Sequence, residues 1–278
     1  MRVTTVDMFG TAPGRGSALD VLVPDDPADS VEGAEGAEGA EGAEGAAAHA
    51  RRTCADEIAL VGECSRDQRT YRSRIFNAAG ETPFGTHSLA GTAACLVGGG
   101  HLDPGDVGRE AESGCQWLWT DGREVRVPFE GPLVRENLPG EALGDYSGIP
   151  HAGGVGRAFG FIRVIEDPRT LPAPDHLDRL GLTDLTLYRW DPDRREVLAR
   201  VFAPGFGIPQ DAGCLPAAAA LGAIALDLAP GDDVTVRQVT TRGTESVFHC
   251  VGAVRDGTAR VRITGRIWGT DDREVSRL

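Results

Sequence analysis

Five side chains in this sequence have the types and positions to do acid–base chemistry. Glu57 opens the apolar run Ile58-Ala59-Leu60-Val61. Its carboxyl would be hard to ionise if it pointed inward, although an acid at a strand end more commonly faces water. Glu81 and His87 stand before and at the start of a small-residue run in the first half of the chain. A histidine at a helix N-terminus can carry a proton near neutral pH, or simply sit at the surface in a capping region. Asp211 and Cys214 stand at the start of a second such run. Asp211 is placed either to cap a helix or to exchange protons. Cys214 is either a thiol acidified by a helix dipole or a structural cysteine among small residues.

The elements that would position these groups repeat. Arg74-Ile75-Phe76-Asn77-Ala78 and Arg200-Val201-Phe202-Ala203-Pro204 are each followed by a Gly-containing turn and an Ala/Gly-rich run. Each half therefore reads as strand, turn and tightly packed helix, over residues 88–97 and 215–228. Gly98-Gly99-Gly100 ends the first helix, and Pro216 falls in the first turn of the second, where proline is tolerated. Alternating stretches around both helices read as strands. The expected fold is α+β, with two pseudo-symmetric lobes. The expected boundaries are 1–130 for the N-terminal lobe, 131–150 for a Pro/Gly-rich linker and 151–278 for the C-terminal lobe. Residues 31–48 consist of Glu-Gly-Ala triplets with almost no large apolar side chain. They read as a solvated loop insertion that adds nothing to a core, with a short acidic helix into Ala46-Ala47-Ala48-His49 as the alternative. Glycine at every third residue opposes the helix by roughly 1 kcal/mol each.

Composition narrows the partners. The 278 residues carry a formal net charge of −14, with 41% hydrophobic and 25% charged residues. No basic cluster offsets that charge, so neither nucleic acid nor an anionic membrane surface is expected as a partner. A small carboxylate substrate remains compatible with a locally positive cleft. No apolar run approaches the length of a membrane span. The N-terminus reads as a strand rather than a signal peptide. Six cysteines, none in a Cys-x-x-Cys pair, signal neither a metal site nor a disulfide framework, so a cytoplasmic chain is expected. No nucleotide-binding glycine motif is present.

At these residues the chain resembles the PhzF-like isomerase family, of the diaminopimelate epimerase fold. Val6-Asp7-Met8-Phe9 resembles that family's opening strand. Glu81-Thr82-Pro83-Phe84-Gly85-Thr86-His87-Ser88-Leu89-Ala90-Gly91 is similar to its Glu-x-Pro-Phe-x-Gly-His-Pro-Thr-x-Gly run. Gly207-Ile208-Pro209-Gln210-Asp211 resembles the second-lobe motif, and residues 50–61 resemble the segment that carries the family's catalytic glutamate. The resemblance implies two lobes, each a barrel-like sheet wrapped around a central helix. It implies a homodimer and chemistry without a metal or organic cofactor. It makes Glu57 the base and shuttle, with His87 and Asp211 as relay and positioning groups. Gly85, Thr86, Ser88, Gly213 and Cys214 become the substrate-binding positions, with helix-start amides holding a carboxylate. The Glu-Asp-Pro-x-Thr-Gly-Ser-Ala of the family's second motif is here Gln210-Asp211-Ala212-Gly213-Cys214-Leu215-Pro216-Ala217, so the Thr-Gly-Ser is lost.

The implied activity moves a proton, and with it a double bond, on a small unsaturated carboxylic acid of secondary metabolism. A 4-alkyl-proline-type pyrroline is one such acid. Two other readings stay open: a cysteine-assisted amino-acid epimerase using Cys214, and a non-catalytic descendant that binds a metabolite or a partner protein.

Overall fold

The computed structural model describes residues 2–24, 40–82, 85–111, 114–138, 146–175, 177, 181–229 and 231–269, with backbone only at Ala40, Glu41, Thr86 and His87. The chain forms two compact units, Met1–Val127 with Arg266–Leu278, and Pro128–Gly265. Among the described residues no helix is long and apolar enough to cross a membrane.

The first unit contains β1 (Arg2–Met8), β2 (Ser17–Val23), α1 (Ala40–Ala50), β3 (Glu57–Ser65) and β4 (Thr70–Asn77). It continues through β5 (Gly80–Thr82), α2 (Thr86–Gly98), β6 (Gly105–Ala111), β7 (Gly114–Thr120) and the start of β8 (Glu124–Asn137). Its strands are ordered β8-β7-β6-β4-β3-β2-β1. The far edge of β1 pairs with the end of β16 (Thr258–Trp268), Asp7 opposite Trp268. The indole Nε1 of Trp268 also donates to the Gly10 carbonyl at 2.9 Å.

The second unit takes up the rest of β8, then β9 (Pro150–Val155), β10 (Phe159–Arg163), β11 (Leu185–Asp191) and β12 (Glu196–Ala203). After these come β13 (Ile208–Asp211), α3 (Leu215–Leu228), β14 (Asp233–Val239), β15 (Glu245–Arg255) and most of β16. Residues 131–137 of the expected linker stretch continue strand β8, and residues 139–145 lie outside the described residues.

The repeat read from sequence is a repeat of pairing. β4 runs antiparallel to β3 and to β5 and parallel to β6. β12 does the same with β11, β13 and β14. The parallel pair β2–β3 has its counterpart in β10–β11. Each sheet wraps a helix that is apolar on nearly every side, as a helix enclosed by strands must be. In α2, Leu89, Ala90, Ala93, Ala94, Leu96 and Val97 are buried. In α3 every residue from Ala217 to Leu226 is buried. Small side chains let the strands approach closely. A Cβ on Gly91 would lie 2.5 Å from Met8 Sδ and 2.7 Å from Leu19 Cδ2. Gly91→Ala is therefore expected to destabilise the protein by about 1–3 kcal/mol through overpacking. An unchanged urea midpoint would show that β1 and β2 can yield there.

The Glu-Gly-Ala segment corrects the loop expectation over residues 40–48. This part is α1, and it does contribute to a core. Ala46 and Ala50 are buried, with Ala43 and Ala47 packed alongside, against Leu22, Ile58, Leu60 and Phe76. Methyl groups spaced at i and i+4 make one apolar face, and that packing outweighs the glycine penalty. Residues 31–39 lie outside the described residues.

A polar clamp fixes α1 to the sheet. Asp20 is buried in β2 and accepts hydrogen bonds from Thr5 Oγ1 and Thr53 Oγ1, each at 2.7 Å. Its Oδ2 also meets His49 Nε2 of α1 at 2.8 Å. Burial pushes the Asp20 carboxyl up, but the two hydroxyls and His49 together hold it below its ordinary value. A depressed folded-state carboxyl contributes stability above its unfolded value, about 3.9, and loses it as pH falls through the lower folded value. The stability gap between the wild type and Asp20→Asn should thus be widest near neutral pH and close toward pH 2. A gap independent of pH in urea melts would contradict this.

Candidate active site

β3 is covered on both sides, which determines where Glu57 points. Ile58 and Leu60 pack toward α1. Side chains alternate along a strand, so Glu57, Ala59 and Val61 face the other way, toward α2. Glu57 is only 1% exposed, so the commoner outcome of a strand-end acid facing water does not hold here. Ser88, in the first turn of α2, donates its hydroxyl to Glu57 Oε2. Ser88, expected to touch substrate, is itself fully buried against this carboxylate.

Gly85 precedes α2 as its N-cap, and no side chain caps the helix. A Cβ on Gly85 would press on Ile75 at 3.0 Å, so a side chain there would push the helix start away from β4. Thr86 and His87 form the first turn, with their side chains outside the described residues. Glu81, on β5, is held by Arg74 through Nε at 2.8 Å and Nη2 at 2.6 Å. Those bonds keep its carboxyl below the usual range, so Glu81 serves the hairpin rather than proton transfer.

In the second unit Asp211 ends β13, opposite Val201 of β12, and is buried. Its Oδ1 accepts the Gly213 amide at 2.8 Å. Cys214 is the N-cap residue of α3. The side chain of Gln238, fully buried on β14, grips it at two points. Gln238 Oε1 accepts the Cys214 amide at 2.6 Å, and Nε2 donates to the Cys214 carbonyl at 2.8 Å. The amides of Gly213 and Cys214, expected to hold a substrate carboxylate, are therefore engaged by Asp211 and Gln238.

Of the two readings of Cys214, the surroundings of the thiol favour the structural one over the acidified one. Burial, then the charge of Asp211, push the thiol well above its ordinary value, and Asp184 adds to the effect. One interaction works the other way, a hydrogen bond from the Ala217 amide. Two carboxylates beside a desolvated sulfur outweigh a helix terminus, so Cys214 is a neutral thiol at physiological pH.

The pairing registers relate the buried acids of the two units. Asp56, just before β3, accepts the Ala18 amide of β2 at 3.3 Å. Asp184, just before β11, accepts the Gly160 amide of β10 at 2.8 Å. The same fastening of a parallel strand pair thus occurs once per unit. Burial raises the Asp184 carboxyl. By strand register the counterpart of Glu57 is Asp184 itself, since Ile58 opposes Phe76 as Leu185 opposes Phe202. The counterpart of Asp211 is non-acidic: Asp211 opposes Val201 as Thr82 opposes Ile75. Asp211 is therefore a buried acid without an acidic counterpart, whereas Glu57 and Asp184 are buried acids at equivalent positions that take different partners, a serine hydroxyl and a backbone amide.

Gln238 and Asp184 were not singled out from sequence. Each acts on a residue 24 positions away, and no local spacing marks such a pair.

No family model and no curated protein matches the sequence. Solved structures do match in shape. A phenazine biosynthesis PhzC/PhzF protein from Clostridium difficile is 15% identical over 96% of this chain and 97% of its own, with a TM-score of 0.73. A predicted epimerase from Pseudomonas aeruginosa is 23% identical over 96% of each chain, at a TM-score of 0.64. A hydroxyproline epimerase from Agrobacterium vitis, with trans-4-hydroxy-L-proline bound, is 18% identical over 96% of this chain and 91% of its own, at 0.52. At these identities the likeness is one of fold, and the fold of this chain is that of PhzF proteins and of the hydroxyproline epimerase.

Proposed function

We propose that this protein is an isomerase that moves a proton on a small unsaturated carboxylic acid without a cofactor. The observation that carries the proposal is Glu57, an acid 1% exposed at the head of a central strand and bonded by the hydroxyl of buried Ser88. A buried ionisable group with a specific polar partner is a common mark of an acid–base site. In the proposed reaction Glu57 removes a proton from one carbon. The electron pair shifts through the conjugated system, and Glu57, its proton exchanged with water during turnover, delivers a proton to another carbon. One C–H bond breaks, one forms, and the double bond moves between them. His87 and Asp211 relay protons and orient the substrate, as the resemblance of their motifs implies.

The fold neighbours favour a compact substrate with a carboxylate, since one of them holds trans-4-hydroxy-L-proline. A pyrroline carboxylate with an unsaturated side chain at C4, an intermediate of secondary metabolism, combines that size with a migrating double bond. The same reading takes the protein as a cytoplasmic homodimer, a state that light scattering on a sizing column would report.

In the epimerase alternative Cys214 works with Glu57 or His87, one group taking the α-proton and the other supplying one. Proton NMR of a 4-alkenyl pyrroline carboxylate incubated with the enzyme in heavy water separates the readings. Migration of the double bond with one deuteron gained supports isomerisation. Deuterium at the α-carbon with the double bond in place would support epimerisation and overturn the proposal.

A further inference from the structure

We propose that Ser88 is the positioning residue for Glu57, holding one carboxylate oxygen so that the other is aimed at the reacting carbon. The inference rests on the reading of Glu57 as the base.

Both partners are out of water, Ser88 at 0% and Glu57 at 1% exposure. The bond runs from the Ser88 hydroxyl to Oε2. It joins elements whose geometry is fixed independently. β3 lies between β2 and β4 in register, Leu19 opposite Glu57 and Phe76 opposite Ile58. α2 is anchored by Leu89, whose amide donates to the Gly85 carbonyl at 2.9 Å. The Leu89 carbonyl accepts the hydroxyl of buried Tyr71 at 2.9 Å. Ser88 is therefore a donor on a rigid support. A glutamate has three side-chain torsions, and pinning one oxygen removes most of that freedom. A side chain that aims a base raises the rate of the chemical step without changing how substrate is held. A serine touching substrate would instead affect KM.

The test pairs Ser88→Ala and Ser88→Thr with Glu57→Gln. In crystals of Ser88→Ala the Glu57 carboxylate should occupy more than one orientation while the fold stays as in the wild type. A single orientation matching the wild type overturns the proposal without need of a substrate. With the 4-alkenyl pyrroline carboxylate, Ser88→Ala should lower kcat roughly 10- to 100-fold at unchanged KM, and Ser88→Thr should recover most of it. A rise in KM with kcat intact would make Ser88 a substrate contact instead. If Glu57→Gln abolishes exchange while Ser88→Ala retains the wild-type kcat, only the positioning role fails. If Glu57→Gln still exchanges protons at the wild-type rate, the base itself is misassigned. Adding Ser88→Ala to Glu57→Gln should change the residual rate no further, because the two act as one unit.

Discussion

Glu57→Gln should slow proton exchange by at least roughly 10²- to 10⁴-fold, the range for loss of a positioned general base. The same protein should fold as well as the wild type. Glutamine matches glutamate in shape, and its amide oxygen can still accept the Ser88 hydroxyl. The substitution also replaces a carboxyl that is only 1% exposed by a neutral group, so no new buried charge is created. Two measurements are needed together: deuterium incorporation into a 4-alkenyl pyrroline carboxylate, and a thermal melt. Lost exchange with an unchanged melt is the expected pair. A full rate would remove Glu57 from the chemistry, whereas lost exchange with a collapsed melt would mean that the carboxylate serves the core.

The second large effect concerns α1. Replacing residues 40–50 by a Gly-Ser segment of equal length should cost roughly 3–6 kcal/mol. Leu22, Ile58, Leu60 and Phe76 would lose their cover, and re-exposing even two such side chains costs about 1.5–3 kcal/mol each. The His49 contact with Asp20 goes as well. Typical domains have only about 5–15 kcal/mol in hand, so the shift in urea midpoint would be large. An unmoved midpoint would mean that α1 rests on the sheet without stabilising it.

How much of this could be read in the residues differs from element to element. The β4-β5-α2 and β12-β13-α3 units were legible because Arg-x-Phe, a turn and a small-residue run recur in the same order. That order is sufficient to specify a strand, a hairpin and an enclosed helix. The helical part of the Glu-Gly-Ala segment was obscured by its glycines, since propensity argues for a loop and only tertiary packing argues against it. The orientation of Glu57 was hidden because Ile58 to Val61 are all buried, which erases the alternation that tells one face of a strand from the other. The state of Cys214 depends first on its burial and then on the charge of Asp211, and position at a helix start alone left it open.

The pairing of β1 with the last residues of β16 bears on how the polypeptide is made. Asp7 and Met8 find their partners at Trp268 and Ile267, about 260 residues later. The first unit therefore cannot complete its hydrogen bonding until residues 267 and 268 have been made, although its other strands emerge from the ribosome first. The second unit, continuous from Pro128 to Gly265, has no such wait. Non-local closure of this kind is slow and leaves β1 with an open edge in the meantime. Truncation before Arg266 should thus leave a nascent product prone to aggregation at its N-terminal strand, even though most of its residues have been translated.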